Sequence, residues 1–224
     1  RHNPVGHLVY ASSSSVYGLN TDRPFSVHDG VDHPVSLYAA TKRSNELMAH
    51  AYSHLYGIPT TGLRFFTVYG PWGRPDMAYF KFAKAILSGT SIDVYNNGDM
   101  YRDFTYIDDI IAGILLTAGR PPRGDPAWNP TLPDAASSSA PYRLYNLGNS
   151  RPERLSDFMR ILENALGRAA IRRNLPMQPG DVYATEADIA DLEIEFGWKP
   201  TTDIAEGLVL FANWFKSFNA KESG

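Results

Sequence analysis

The chain has 224 residues, of which 43% are hydrophobic and 20% are charged, and this composition is typical of a globular protein with a sizeable core. Its 21 basic and 24 acidic residues give a net charge of −3, which provides no footprint for nucleic acid, and no run of Lys and Arg indicates a membrane surface. No apolar stretch approaches the roughly 20 residues of a transmembrane helix. The absence of cysteine excludes disulfides, thiolate metal sites and a cysteine nucleophile.

The predicted elements alternate between strands and helices, which indicates an α/β fold. Residues 7–12 form a short apolar run that ends in hydroxyls, as expected of a buried parallel strand whose carboxyl end opens into a site. Ser36 is the expected N-cap of a helix that ends at about Tyr56, before Gly57 and Pro59. Further strands are predicted at 60–66, 91–96, 142–148 and near residue 171, and further helices at 77–87, 108–118, 155–166 and 204–218.

The segment from Gly119 to Pro141 contains six prolines and is predicted to be a long surface loop. Glu46, His50 and His54 recur every four residues on the long helix. Each four-residue step drifts about 40° around the helix axis, so we expect these three residues to lie on a solvated helix face rather than to bind a metal.

Ser13, Tyr38 and Lys42, in the segments YASSSSVYG and YAATK, form the most informative combination of residues. Tyr38 and Lys42 are four residues apart and share one helix face. A phenol is mostly protonated at neutral pH, but a lysine cation within about 4–6 Å favours the phenolate. Tyr38 can then act as a base on a sugar hydroxyl while Ser13 hydrogen-bonds the reacting oxygen. Alone, a Tyr-x-x-x-Lys pair is usually an ordinary surface pair, and the upstream SSSSVYG favours the functional interpretation.

Five segments extend this pattern along nearly the whole chain, in the order SSSSVYG, SLYAATK, GLRFFTVYGPWGRPDMA, RDFTYIDDI and PMQPGDV. Together they resemble the extended short-chain dehydrogenase/reductase family, and most closely its UDP-glucuronate 4-epimerases. The resemblance implies an α/β fold with a partial Rossmann-type parallel sheet and a smaller C-terminal substrate-binding lobe. Residues 1–70 would hold the C-terminal part of the NAD-binding domain, and residues 71–224 mainly the UDP-sugar-binding lobe, with some segments returning to the Rossmann domain.

Members of that family open with a strand, a Gly-x-x-Gly-x-x-Gly turn and a helix that hold the pyrophosphate of NAD, and the sequence contains no such spacing of glycines. The chain also begins with RHNPVGH, without Met or a signal-peptide apolar region. We therefore expect it to correspond to the later two thirds of an epimerase and to bind NAD weakly by itself. The resemblance further implies a homodimer of the full-length protein and, with the missing signal, a cytoplasmic location.

For the cofactor NAD, the resemblance implies contacts from Ser12, Tyr38, Lys42 and Phe66. Lys42 would reach the ribose hydroxyls of the nicotinamide nucleotide. Phe66 would lie near the nicotinamide, although an aromatic residue at the end of a strand is equally typical of a plain core position.

Ser14 and Ser15 separate the epimerases from the sugar-nucleotide dehydratases, which carry Asp-Glu at these two places. Serines cannot supply a strong general acid or base, so the chain departs from the dehydratase pattern. Both hydroxyls would lie near the sugar, while a flexible polar turn is the alternative interpretation of the serine run.

Thr67 and Arg74 are the candidates for recognising a uronate carboxylate, which calls for a hydroxyl or a guanidinium directed at a planar anion. UDP-galactose epimerases resemble this segment but have Asn in place of Thr67, which favours the uronic acid here. For Arg74, a loop ion pair with Asp76 is the alternative.

Three later residues complete the predicted grip on the nucleotide sugar. Arg102 resembles the arginine that contacts the UDP diphosphate, with an internal pair to Asp103 or Asp108 as the alternative. Gln178 and Asp181 lie in a segment that resembles the loop over uridine, where Asp181 would accept hydrogen bonds from ribose hydroxyls.

The activity implied is NAD-dependent 4-epimerisation of UDP-glucuronate to UDP-galacturonate through a 4-keto sugar. A UDP-glucuronate decarboxylase and a 4-epimerase of neutral UDP-sugars are alternatives within the same chemistry. A non-catalytic fragment that at most binds a UDP-sugar is the alternative from another class, favoured by the missing glycine turn.

Overall fold

The computed structural model describes residues 2–3, 5–177 and 182–222. Within this part of the chain the strands are Leu8–Ser13 (β1), Thr60–Phe65 (β2), Thr67–Tyr69 (β3), Ser91–Tyr95 (β4), Tyr101–Tyr106 (β5), Tyr142–Leu147 (β6), Pro152–Arg154 (β7) and Ile171–Leu175 (β8). The helices are Leu37–Tyr56 (α1), Ala78–Ser88 (α2), Ile107–Ala118 (α3), Leu155–Leu166 (α4), Ala190–Phe196 (α5) and Ile204–Glu222 (α6).

A parallel sheet with the order β1-β2-β6 organises the fold. Its register pairs Ser13 with Phe65 and Phe65 with Leu147, so the carboxyl ends of all three strands lie at one edge. In parallel α/β sheets this edge is where ligands bind. Among the described residues β1 is paired only on its β2 side. The α/β class and the parallel, Rossmann-like sheet expected from the sequence are confirmed.

Helices α1 and α3 cover opposite faces of this sheet. Successive residues of a strand point to opposite faces, so neighbouring positions show which helix lies on which side. Arg64 faces α1, where it contacts Glu46. Leu147 faces the other way, against Gly113 of α3, where an added Cβ would lie 3.0 Å from the Leu147 side chain. The sheet therefore has helices on both faces, as buried parallel strands require.

Helix α1 begins and ends where the sequence predicts. The Ser36 side chain accepts a hydrogen bond from the Ala39 N–H at 3.1 Å, which satisfies one of the free donors of the first turn. Gly57 ends the helix in the left-handed conformation, with φ of 62°. The first residues of α1, including Tyr38, are thereby held at a defined place beside the sheet.

Two smaller sheets, β3-β5-β7 and β4-β8, build the remainder with α2, α4 and α6. Their core is rich in aromatic side chains that stack or meet edge to face. It includes Tyr69, Tyr79, Phe80, Phe104, Phe158, Phe211 and Phe215. The division of the chain at residue 70 stays a prediction.

Several elements differ from the sequence-based expectations. Strands β3, β5 and β7 and helix α5 were not predicted. Strands β3 and β7 have three residues each and α5 has seven, which is too few for a clear periodicity, and the six residues of β5, YRDFTY, do not alternate regularly between apolar and polar. The proline-rich segment is also not purely a surface loop. Its last part is buried, since Ala136 is fully buried and Ser138 donates or accepts a 2.9 Å hydrogen bond with His50 of α1.

Candidate active site

The serine run forms a fixed turn at the carboxyl end of β1. Ser13 is the last strand residue, and its hydroxyl accepts the Ser15 N–H at 3.2 Å and donates to the Ser15 hydroxyl at 3.1 Å. The turn ends at Gly18, with φ of 54°, where a Cβ would lie 2.0 Å from the carbonyl oxygen of His33. Only glycine fits this close approach, which holds the segment before α1 against the serine turn.

Tyr38 and Lys42 lie on α1 beside this turn. The Lys42 ammonium donates a 3.2 Å hydrogen bond to the carbonyl oxygen of Ala11 in β1, and it lies 5.8 Å from the centroid of the Tyr38 ring. The Tyr38 side chain is 52% exposed, so its hydroxyl is open to a ligand. The predicted i,i+4 pair is therefore present at the carboxyl edge of the sheet, where Ser13 also lies.

Glu46, one turn beyond Lys42, is not on a solvated face as the sequence pattern suggested. It is fully buried and accepts hydrogen bonds from three residues: the Ser12 hydroxyl at 2.6 Å, Arg64 Nε at 2.9 Å and Arg43 at 3.1 Å. Burial raises the pKa of the Glu46 carboxyl, but the hydrogen bond and charge of Arg64, with the bonds from Ser12 and Arg43, outweigh it and lower the pKa below its ordinary value.

Arg64 is also fully buried, and it was not among the predicted site residues. The position of Arg64 in the sequence could have indicated a buried ion pair. An arginine in the interior of a parallel strand, between Leu63 and Phe65, needs a buried anionic partner. A search for that partner leads to an acidic residue on the covering helix, and Glu46 meets the requirement.

A cavity of about 270 Å³ opens in front of the serine turn and brings together four predicted residues. Ser14, Ser15, Thr67 and Arg102 all line it, together with Ser36 at the start of α1. The polar character of these groups suits a hydroxyl-rich or anionic ligand.

A larger cavity of about 710 Å³ is next to the first, since Thr67 and Arg102 line both. Apolar side chains such as Phe82, Ile92 and Phe104 form part of its wall. Its polar groups include an ion pair in which Arg173 donates two hydrogen bonds to Asp93, at 2.6 and 2.8 Å. An apolar wall with a few fixed polar groups is typical of a small-molecule site.

The position of Arg102 depends on its backbone surroundings. Its guanidinium donates to the carbonyl oxygens of Tyr101 at 2.9 Å and Tyr183 at 3.2 Å. The neighbouring Asp103 carboxylate is fully buried and accepts backbone N–H groups, including those of Ser150 at 3.0 Å and Ala187 at 2.9 Å. Burial raises the pKa of Asp103, with these backbone bonds acting in the opposite direction.

The remaining predicted residues are placed differently. Arg74 is 72% exposed and pairs with Asp76 at 3.0 Å, and it does not line either cavity among the described residues. The Ser12 hydroxyl is buried and donates to Glu46, and Phe66 packs in the core beside the Tyr17 ring. Gln178 and Asp181 lie outside the described residues. The roles predicted for all these residues stay predictions.

The Tyr38–Lys42 pair fits the nicotinamide end of NAD by the chemistry of its donors. A lysine ammonium carries three N–H donors, and the bond to Ala11 uses one. The others, with the exposed Tyr38 hydroxyl, suit the hydroxyls of a ribose. The sequence contains no glycine-rich turn for a pyrophosphate, so the fit concerns this end of the cofactor only.

Comparison with known proteins agrees with these features. The model of the NAD dependent epimerase/dehydratase family matches residues 1–129. The chain belongs to this family. It is 60% identical over 218 residues to the uncharacterized 37.6 kDa protein in the cld 5' region of Escherichia coli O111:H-, which covers 97% of the chain and 65% of that protein. It is 50% identical over 210 residues to a probable UDP-glucuronate 4-epimerase of Rhizobium meliloti, covering 93% of the chain and 62% of that protein.

Among solved structures, the UDP-glucuronic acid 4-epimerase from Bacillus cereus, in complex with UDP-glucuronic acid and NAD, superimposes with a TM-score of 0.79 at 29% identity. The match covers 97% of this chain and 63% of the other. The chain thus spans less than two thirds of the length of these relatives.

The described residues contain no group of three or more His, Cys, Asp or Glu side chains able to hold a metal ion. None of the helices in this part of the chain has the length and apolar character needed to cross a bilayer.

Proposed function

We propose that the protein catalyses the NAD-dependent 4-epimerisation of a UDP-uronic acid, interconverting UDP-glucuronate and UDP-galacturonate. The observation that carries this proposal is the shared lining of the two cavities. Ser14, Ser15, Thr67 and Arg102 surround the smaller cavity beside the Tyr38 helix, and Thr67 and Arg102 also line the larger one. The size and apolar wall of the larger cavity suit a nucleoside, and the smaller size and polar lining of the other cavity suit a sugar.

In this mechanism the Tyr38 phenolate accepts the proton of the 4-hydroxyl of the sugar. The Lys42 ammonium lies 5.8 Å from the centroid of the Tyr38 ring, and Ser13 donates a hydrogen bond to the reacting oxygen. Tyr38 and Lys42 would hold the nicotinamide ribose of NAD, and the bound cofactor would supply the hydride chemistry at C4, with reversible loss of hydride from one face of the sugar and its return to the other. After the sugar has turned over in the cavity, Tyr38 returns the proton and the base is regenerated.

The remaining residues bind and orient the substrate. Arg102 is the donor for the diphosphate, because its place between the two cavities corresponds to the link between sugar and nucleoside. Thr67, with the hydroxyls of Ser14 and Ser15, faces the sugar and can donate to its carboxylate. The polar lining of the smaller cavity supports this role.

The grip on the carboxylate also bears on the outcome of the reaction. A 4-keto group is β to the C5 carboxylate and stabilises the carbanion that loss of CO₂ would leave. Hydroxyl donors that hold the carboxylate in one orientation restrain this loss. A protein with a weak grip would act as a decarboxylase.

The test is product analysis with the complete protein that the reading frame encodes. We expect UDP-glucuronate with NAD to give UDP-galacturonate, detected by proton NMR, with UDP-glucose turned over poorly. A UDP-pentose as the main product would identify a decarboxylase, and equal turnover of neutral UDP-sugars would overturn the uronate assignment. Binding of UDP-glucuronate without any product would support a binding protein instead.

A homodimer in the cytoplasm is part of the same proposal. Helix α1 exposes a set of large apolar side chains that a second copy of the chain would bury. They are Leu47, Met48, Tyr52 and Leu55. Light scattering of the purified protein tests the dimer, and Leu55→Asp is expected to shift it toward monomer, whereas Leu132→Asp, in the proline-rich segment, is not.

A further inference from the structure

The Glu46 carboxylate joins three parts of the chain that surround the candidate active site. It accepts the Ser12 hydroxyl of β1 at 2.6 Å, and Arg64 of β2 at 2.9 Å through Nε and 3.0 Å through a terminal nitrogen. Arg43, on α1 itself, reaches the same carboxylate at 3.1 Å. The carboxylate is therefore saturated by directional bonds to two adjacent strands.

Two of these partners are next in sequence to a residue of the site. Ser12 precedes Ser13, and Arg43 follows Lys42. Lys42 itself donates to the carbonyl of Ala11, so two successive residues of β1, Ala11 and Ser12, are bound by two successive turns of α1. The helix can neither slide along the strand nor rotate without breaking both bonds.

Tyr38, Lys42 and Glu46 lie at successive four-residue steps, and each step turns about 40° around the helix axis. Glu46 is fully buried and Tyr38 is 52% exposed, with Lys42 between them. These three residues therefore lie along α1 from its buried side, at Glu46, to its exposed side, at Tyr38. Fixing Glu46 on the sheet fixes the rotation of α1 and with it the direction in which the Tyr38 ring leaves the helix.

We propose that Glu46, with Ser12 and Arg64, is a positioning group that sets the orientation of Tyr38 and Lys42 relative to Ser13, and this role rests on the proposed function. Apolar packing alone would not fix the position and rotation of α1 on the sheet, because such contacts are non-directional. A buried carboxylate that accepts four directional hydrogen bonds is held in one orientation. The π face of Tyr17 lies 5.0 Å from the Arg64 guanidinium and Tyr17 donates to Asn146 of β6, which extends the link to the third strand.

The test compares Ser12→Ala, Glu46→Gln and the double variant with the wild-type protein. Ser12→Ala removes only the link from β1 and leaves the ion pair in place, so it keeps the inference testable if Glu46→Gln does not fold. Ser44→Ala is the matched control, because Ser44 is exposed on the same helix and its hydroxyl donates to the Ala40 carbonyl oxygen within α1. Ser12→Thr restores the hydroxyl and should rescue the loss.

Two readouts are needed. With the complete encoded protein, we expect Ser12→Ala to lower kcat about tenfold or more with KM for UDP-glucuronate little changed, as displaced catalytic groups do. The double variant should lose no more than the stronger single variant, since both remove one link. With the 224-residue chain and no ligand, 3-fluorotyrosine at position 38 should show a changed ¹⁹F chemical shift in Ser12→Ala and Glu46→Gln, and not in Ser44→Ala.

The two readouts separate the positioning role from the proposed function. Unchanged kcat and an unchanged ¹⁹F signal in folded Ser12→Ala would overturn the positioning role, even if its melting temperature falls. A wild-type protein without epimerase activity whose ¹⁹F signal still responds to Ser12→Ala would overturn the proposed function and leave the structural link standing. Additive losses in the double variant would assign Ser12 a separate contact to the cofactor.

Discussion

Glu46 and Arg64 form a two-point ion pair in which both side chains are fully buried, with Nε to Oε1 at 2.9 Å and a terminal nitrogen to Oε2 at 3.0 Å. Burying two charges costs free energy that only their mutual attraction and their hydrogen bonds offset. Removal of one partner therefore leaves the other charge in the interior without compensation.

We expect Glu46→Gln to lower the free energy of unfolding by about 3–5 kcal/mol, the usual result of breaking a buried pair. Glu193→Gln is the matched control, because Glu193 is half exposed and lies 3.8 Å from Lys199. Its loss should change stability by about 1 kcal/mol or less. Urea denaturation followed by tryptophan fluorescence measures both free energies of unfolding. Similar losses in the two variants would show that the buried Glu46–Arg64 pair costs no more to break than an exposed pair.

Tyr38→Phe should abolish turnover of UDP-glucuronate, with little change in its affinity, because the base is removed and the ring is kept. Tyr52→Phe is a close control, since Tyr52 lies on the same helix and is 53% exposed against 52% for Tyr38. Steady-state kinetics and calorimetry of UDP-glucuronate binding provide the measurements. If Tyr38→Phe retained more than about a tenth of wild-type kcat, a loss below about 1.4 kcal/mol, the phenol would not be the base.

Thr67 and Arg74 make separable predictions for uronate selectivity. Thr67 lines both cavities, whereas Arg74 lines neither among the described residues and is bound to Asp76, which lies in the wall of the larger cavity. We expect Thr67→Val, which keeps the shape and removes the hydroxyl, to lower the ratio of kcat/KM for UDP-glucuronate over UDP-galactose by about tenfold, the value of one charge-assisted hydrogen bond. Arg74→Ala should lower the ratio less. The reverse order would show that Arg74 leaves Asp76 to bind the carboxylate.

His28 predicts a pH dependence of stability. Its ring bonds Asp134 at 2.7 Å and Asp191 at 3.1 Å, and Arg143 also pairs with Asp191. Burial lowers the pKa of His28, but the hydrogen bond to Asp134 and the charge of Asp191 raise it overall above its ordinary value. A raised pKa stabilises the fold fully below the unfolded value of about 6.5, and this contribution is lost as the pH rises through the folded pKa.

The measurement is the difference in unfolding free energy between wild type and His28→Gln from acid to alkaline pH. We expect the difference to be largest below about pH 6.5 and to shrink above it. His33→Gln, at an exposed position in the same loop, serves as control. A difference that is constant with pH would mean that the bridge does not depend on the His28 charge.

Gly18 and Gly57 have similar positive φ, 54° and 62°, but different surroundings. An alanine Cβ at position 18 would lie 2.0 Å from the carbonyl oxygen of His33, whereas position 57 has no atom within 4 Å. Gly57→Ala should cost only the left-handed strain of about 1–2 kcal/mol. Gly18→Ala should cost more and also weaken UDP-glucuronate binding, because Gly18 lines the smaller cavity. Thermal denaturation and calorimetry distinguish the two, and equal effects would contradict the clash.

The sequence alone determined the features that depend on neighbours in the chain. The Ser36 cap and Gly57 define α1, and the four-residue spacing places Tyr38 and Lys42 on one face of it. The serine run ends a short apolar strand, so Ser13 was predicted at the carboxyl edge of the sheet, where the structure places it. Local hydrogen bonding and helix periodicity decide these features, and a single sequence carries both.

Only the tertiary structure decided which distant residues meet. Glu46 repeats with His50 and His54 like a solvated face, and its burial depends on Arg64, 18 residues away on a strand. Likewise Thr67 and Arg102 share two cavities because β3 pairs with β5, while Arg74, in the same motif as Thr67, turns outward to Asp76. Spacing along the chain cannot specify such contacts, because strand order and the packing of helices on the sheet determine them.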